Sequence, residues 1–156
     1  MTPAIEMLRA AGVAHEVFDY EHDPAHPSYA EEAVEALGVD PESVFKTLMV
    51  EFEDASFAIG VVPVGAMLDL KAIARAAGHK RATMAAPDVA ERRSGYVVGG
   101  ISPFGQKRTV PTFVDEWATT LDVLYCSAGR RGLEVAVAPD AMADVLDATF
   151  APIAGW

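Results

Sequence analysis

The sequence predicts a mixed α/β (α+β) fold: a mixed, largely antiparallel sheet or a distorted β-barrel surrounded by helices, not a doubly wound parallel sheet. Two observations carry this. Strand-like segments outnumber helical ones, and several neighbouring strands are joined by hairpin-length connections. With 156 residues, 51% of them hydrophobic, the chain reads as a single domain over residues 1–156, long enough to bury roughly two thirds of its unfolded surface.

The elements follow in order. Thr2-Pro3 with Ile5, Leu8 and Ala11 predicts a capped helix ending at Gly12. Val13 to Tyr20 predicts a strand. Ser28-Tyr29-Ala30-Glu31 is a capping box, after which Ala30, Ala33, Val34 and Leu37 recur at helical spacing until Gly38. Val44 to Phe52 predicts a strand, and its alternation puts Lys46 in one row with Val44, Leu48, Val50 and Phe52. Glu53-Asp54-Ala55-Ser56 then makes a hairpin connection into Phe57 to Val64, with Pro63 expected near an edge or a bulge. Asp69 caps a helix with Leu70, Ile73, Ala74 and Ala77 on one side, stopped by Gly78. A short strand over Lys80 to Met84 and a short helix over Ala85 to Arg92 deliver the chain to a glycine-rich loop, Gly95 to Gly105. Further strands are expected at Thr112 to Asp115, Val123 to Cys126 and Leu133 to Val137, the last two joined by a second glycine-rich turn over Ser127 to Gly132. A closing helix opens at Pro139-Asp140 with Met142, Val145 and Leu146 inward.

No segment approaches the ~18 apolar residues of a membrane span, and the first residues lack a signal-peptide pattern, so a cytoplasmic setting is expected. A lone cysteine, Cys126, excludes an internal disulfide and a cysteine-based zinc cluster. The net charge of −11 argues against nonspecific nucleic-acid binding, including binding to DNA. Its distribution is uneven. Residues 1–70 carry 14 acids against Arg9 and Lys46, whereas residues 71–156 carry 9 acids against 10 bases. Most of the bases fall in adjacent pairs: Lys80-Arg81, Arg92-Arg93, Lys107-Arg108 and Arg130-Arg131. Singly, each reads as solvated surface; several sharing a face with the glycine loop would make a dock for a small polyanionic end.

Three features bear on chemistry. Glycines in the 95–105 loop allow close backbone approach, so that successive N–H groups could cradle a carbonyl or phosphate oxygen; a tight structural loop is the competing account. Lys46, in an apolar row, must snorkel, meet a carboxylate or serve a ligand. His22 and His26 have the i,i+4 spacing of a metal pair, but Pro24 and Pro27 disfavour a helix there and no third ligand is evident, so no metal site is expected. Phosphate-loop, serine-elbow and zinc-helix signatures are missing, and Cys126 reads as an ordinary buried thiol.

The ordered set Tyr20-Glu21-His22-Asp23-Pro24, Val44-Phe45-Lys46-Thr47-Leu48, Leu68-Asp69-Leu70-Lys71, Gly95 to Lys107 and Arg131-Gly132-Leu133 resembles the YbaK/EbsC family, within it the YbaK-type Cys-tRNA(Pro) deacylases, relatives of the editing domain of bacterial prolyl-tRNA synthetases. The resemblance spans about residues 2 to 153. It implies a free-standing editing protein that removes cysteine from proline tRNA, with the 3′ end of aminoacyl-tRNA(Pro) as partner, prolyl-tRNA synthetase as a further candidate partner, and no cofactor, membrane or DNA. It implies a site in which Lys46 meets the terminal nucleotide and Gly99, Gly100, Ile101, Ser102 and Pro103 wall the scissile ester. Tyr20, Tyr29, Thr47, Ser127 and Gly129 would line the pocket. Glu134 departs from the family, whose members often carry aspartate there. Alternatives are deacylation of another small amino acid, such as alanine, and a noncatalytic tRNA- or synthetase-binding module.

Overall fold

Helix α1 (Pro3–Ala10) starts where the Thr2 side chain accepts the Ile5 N–H, and it buries Ala4, Ile5 and Leu8. A computed structural model describes residues 1–156. Strand β1 (His15–Asp19) leads through a proline-rich loop to α2 (Tyr29–Leu37), begun by the Ser28 hydroxyl on the Glu31 N–H and ended by Gly38 in the left-handed conformation. A 3-10 turn, Pro41–Ser43, precedes the hairpin of β2 (Phe45–Phe52) and β3 (Phe57–Pro63). Then come β4 (Met67–Leu68), α3 (Leu70–Ala77), β5 (Ala82–Met84) and α4 (Pro87–Ser94). Beyond the glycine loop lie β6 (Thr112–Asp115), a 3-10 turn Glu116–Thr120, β7 (Leu124–Arg130), β8 (Leu133–Val137), α5 (Pro139–Leu146), β9 (Thr149–Ala151) and β10 (Ala154–Gly155).

The strands form a five-stranded sheet in the order β5-β2-β3-β6-β9, a three-stranded sheet β1-β8-β7 and the small pair β10-β4. The five-stranded sheet is mixed: β5, β2 and β3 are antiparallel, while β3-β6 and β6-β9 are parallel. Phe45, Met49, Ile59 and Val61 enter one core with Leu8, Phe104, Leu124, Val135 and Met142; Val50, Phe52, Ala58 and Val62 enter another with Ile73, Phe113 and Ile153. Burial on both faces explains why β2 and β3 read as nearly continuous apolar runs.

The mixed, largely antiparallel arrangement is as expected, but the sheets stay open and the barrel alternative is not realised. One local expectation changes. The second glycine-rich segment is mostly strand: β7 runs through Ser127, Ala128 and Gly129 to Arg130 because Cys126 and Ala128 continue its inward alternation, and a bulge between Ser127 and Arg130 absorbs Gly129 at φ +111°. Pro63 ends β3 two residues past Val61, the last to pair with β6, so it has a ladder partner only in Phe45 of β2 and lies near an unpaired edge as expected.

Asp115 ties the sheet to the last segment. Its buried carboxylate accepts N–H groups of Trp117 (3.0 Å), Ile153 (3.0 Å) and Ala154 (2.8 Å). Asp115→Ala leaves three donors without that acceptor and should lower stability by roughly 3 kcal/mol or more, about 8 °C in Tm, read by thermal denaturation.

Candidate functional site

Strand β2 delivers Lys46 and Thr47 to a cavity of about 420 Å³. Its other walls are the start of α2 (Tyr29, Ala30), the start of α4 (Pro87, Ala90), the glycine loop (Val98, Gly99, Ile101) and the β7–β8 pair (Ser127, Glu134). Most lining residues are apolar, so the polar groups they enclose are poorly screened.

Those polar groups are short of partners. Lys46 is half-buried, none of the ion pairs in the protein includes it, and burial lowers its pKa. The carboxylate fate considered for this lysine is therefore not the one adopted. Thr47 Oγ1 and Glu134 Oε2 are buried without hydrogen-bond partners. Burial pushes the Glu134 carboxyl up to about 8, so at pH 7 in the empty cavity it is mostly protonated. Tyr20 lies behind this wall; desolvation first, then the Glu134 and Glu32 charges, push its hydroxyl up to about 12. Behind Glu134, burial also pushes the Cys126 thiol well up, which removes it as a nucleophile.

The glycine loop is held at Val98. The Val98 N–H donates to Glu91 Oε2 on α4 (2.8 Å), and the Val98 carbonyl accepts from Arg131 Nε (3.0 Å) and Nη2 (2.7 Å) at the β7–β8 turn. The Arg131 guanidinium also lies 4.6 Å from the Tyr29 ring centroid. Gly99, at φ +93°, fits where a Cβ would lie 2.7 Å from Tyr29 Cδ2 and 2.8 Å from Arg131 Nε; a Cβ on Gly100 would lie 2.7 Å from Arg130 Cα. Gly100 N–H is spent on Val97 O (2.9 Å), whereas the N–H groups of Gly99 and Ile101 donate to nothing within the protein. Both are free donors on the loop side of the cavity.

A family model described as an aminoacyl-tRNA editing domain matches residues 24–145, which include this whole cavity. The chain belongs to the aminoacyl-tRNA editing domain family. Among curated relatives, the Enterococcus faecalis protein named "Putative Cys-tRNA(Pro)/Cys-tRNA(Cys) deacylase EbsC" is 33% identical over 152 residues, covering 97% of this chain and 92% of the relative. Solved structures share the fold. One described as "a putative trans-editing enzyme for prolyl tRNA synthetase" superposes with a TM-score of 0.84 at 21% identity, covering 100% of this chain and 99% of that one. A hypothetical protein, APE2540, gives 0.86 at 22% identity, covering 97% and 99%. The resemblance to YbaK/EbsC editing proteins is thus borne out.

Within this editing domain, the cavity gathers Tyr29, Lys46, Thr47, Gly99, Ile101, Ser127 and Glu134. Tyr20, Gly100, Ser102, Pro103 and Gly129 are outside its lining. Ser102 is fully buried and its Oγ accepts the Phe104 N–H (3.2 Å), while Gly129 packs against Tyr96 and Thr2. The histidine pair is dispersed: His22 Nδ1 bonds Glu32 Oε1 (2.7 Å) and His26 Nε2 bonds Glu35 Oε2 (3.1 Å). Burial works to raise the Glu32 carboxyl, but the His22 and Asp23 N–H bonds outweigh it and the net direction is downward. Sequence reading missed Glu91 and gave Arg131 a place only in a basic pair and in the family motif; neither contact has a local signal, because Val98, whose N–H and carbonyl they hold, is placed only by tertiary packing.

Glu134 makes stability depend on pH. Its folded pKa of about 8 lies above the unfolded 4.5, so the folded protein binds more protons in that window and loses stability as pH rises through it. Glu134→Gln should melt close to wild type at pH 5 and on the order of 10 °C higher at pH 8.5, read by paired thermal scans.

Proposed function

We propose that this editing domain is a free-standing aminoacyl-tRNA deacylase that clears cysteine from tRNA(Pro), with the substrate's own thiol as nucleophile. The observation carrying this reading is a cavity rich in unpartnered polar groups that no histidine or cysteine lines. Its serines have other duties: Ser28 Oγ caps the Glu31 N–H and Ser127 Oγ accepts the Gly129 N–H (3.2 Å). Such a site orients a substrate and stabilises charge, but it supplies no nucleophile paired with a base. The name borne by the Enterococcus faecalis relative points to the same ester.

In this mechanism the apolar walls hold the terminal adenosine and the aminoacyl group. Lys46 binds the terminal phosphate, and Glu134, as carboxylate, receives the α-ammonium. The thiol gives up its proton to solvent water and sulfur attacks the ester carbonyl. The oxygen that becomes anionic takes the N–H groups of Gly99 and Ile101. Collapse breaks the bond to the ribose oxygen, which takes up one proton. The products are tRNA with a free hydroxyl and a four-membered cysteine thiolactone, which water opens to cysteine. Prolyl-tRNA synthetase would act as a presenting partner.

Deacylation of Cys-tRNA(Pro), Ser-tRNA(Pro) and Ala-tRNA(Pro), each with and without prolyl-tRNA synthetase, tests this directly. Rapid loss of cysteine alone is expected; equal loss of serine would overturn the thiol mechanism. Lys46→Ala should reduce kcat/KM by at least tenfold, and an unchanged value removes that lysine from the site.

The loop gives a second check. Gly100→Val pushes on the Arg130 backbone and displaces both free donors, so deacylation should fall by roughly 100-fold or more. Ser102→Ala removes only a buried loop bond and should keep most activity. The reverse order would mean that the Ser102 side chain, and not the backbone, carries the chemistry.

A further inference from the structure

One cluster of cations lies beside the cavity without acidic partners. Lys107 N–H donates to Ser94 O (2.9 Å) and Arg108 N–H to Arg93 O (3.0 Å), which sets the Lys107-Arg108 pair against the Arg92-Arg93 pair at the end of α4. The contact is close because Gly95 has no side chain: a Cβ there would sit 3.3 Å from Lys107 Cβ. Arg92, Lys107 and Arg108 are exposed, and none of the four cations takes part in an ion pair. The Arg93 guanidinium stacks 4.0 Å from the Phe57 ring centroid, with its Nε buried and unpartnered.

The two other basic pairs sit in different surroundings, next to a carboxylate or on the loop. Lys80 and Arg81 adjoin the Glu53 carboxylate, which accepts both of their backbone N–H groups at 2.7 and 2.9 Å. Arg130 faces Asp19 (3.4 Å) and Arg131 holds Val98. The negative end of a helix accounts for basic residues in the last turn of α4, but not for a second basic pair brought across to it from residues 107–108.

We propose that Arg92, Arg93, Lys107 and Arg108 dock the phosphodiester backbone of the tRNA acceptor end while its terminal ester occupies the cavity. The placement fits. Helix α4 starts in the cavity wall at Pro87 and Ala90 and ends at the cluster, about 5–10 Å further along its axis, a span of one or two nucleotides. An acidic protein gains a local attachment point for a polyanion, and the uncompensated cations set the strand's direction of approach. This inference rests on the deacylase reading above.

The test combines Arg92→Glu with Arg108→Glu, both exposed and outside the cavity. Expected are a rise of roughly tenfold or more in KM for Cys-tRNA(Pro), weaker binding of uncharged tRNA(Pro), and a slope of log affinity against log salt shallower by about 2. Cleavage of the small ester 3′-O-cysteinyladenosine should stay at the wild-type rate, which also shows that the variant is folded. Lys80→Glu with Arg81→Glu, carrying the same change of net charge, should leave KM and the slope near wild type. Wild-type tRNA affinity in the Arg92/Arg108 variant would overturn the proposal, as would equal weakening by the Lys80/Arg81 variant. If wild-type protein cleaves neither ester, the deacylase reading fails by itself, and binding of uncharged tRNA still decides the docking surface.

Discussion

Everything at the site depends on the Val98 backbone, its N–H gripped by Glu91 and its carbonyl by Arg131. The loop around it has no ladder of its own, so without this double attachment its glycines would cost conformational entropy and define no geometry. With it, α4, the loop and the β7–β8 turn become one wall. Arg131 extends that wall to Tyr29 on α2, and the His22–Glu32 bond fixes the loop that leads into the same helix. Gly99 and Gly100 are then required for a specific reason: the elements gripping the loop come so close that no side chain fits between them.

The second constraint is desolvation. The folded chain keeps a lysine, a threonine hydroxyl and a carboxyl short of partners around one apolar cavity, an arrangement that works against stability. A substrate that brings phosphate, ammonium and carbonyl oxygen would satisfy each of these groups. The departure to Glu134 fits within this economy. Its longer side chain reaches into a space already dry enough to hold the acid neutral at pH 7, and an arriving ammonium would shift it to the charged form.

Much of this was legible before the structure. The strands at 112–115 and 133–137 have the expected bounds, and caps at Thr2, Ser28 and Asp69 start their helices as their side-chain chemistry dictates. Lys46 stood out because it interrupts an apolar row, a purely local signal. Elements of two or three residues, such as β4, β9 and β10, are too short to show a period, and their pairing comes from tertiary contacts. The turn predicted at 127–132 failed because glycine marked a bulge, while the continuing inward alternation of Cys126 and Ala128 was the stronger signal. The family resemblance put Ser102 in the ester wall; only packing reveals that its hydroxyl is turned inward to Phe104.

The missing nucleophile–base pair bears on specificity as much as on rate. A pocket telling cysteine from serine by contacts alone faces groups of similar shape, and discrimination of that kind is worth only ~1–3 kcal/mol. A site that supplies orientation and oxyanion donors, but no nucleophile, leaves the decisive step to the bound amino acid. Cysteine meets that demand because its thiol is a few per cent thiolate near pH 7 and strongly nucleophilic, whereas a serine hydroxyl needs an adjacent base. Adding a well-placed histidine would raise the chemical power of the cavity and at the same time let serine esters react. In this reading the absence from the lining of a nucleophile paired with a base is what confines cleavage to the substrate that carries its own nucleophile.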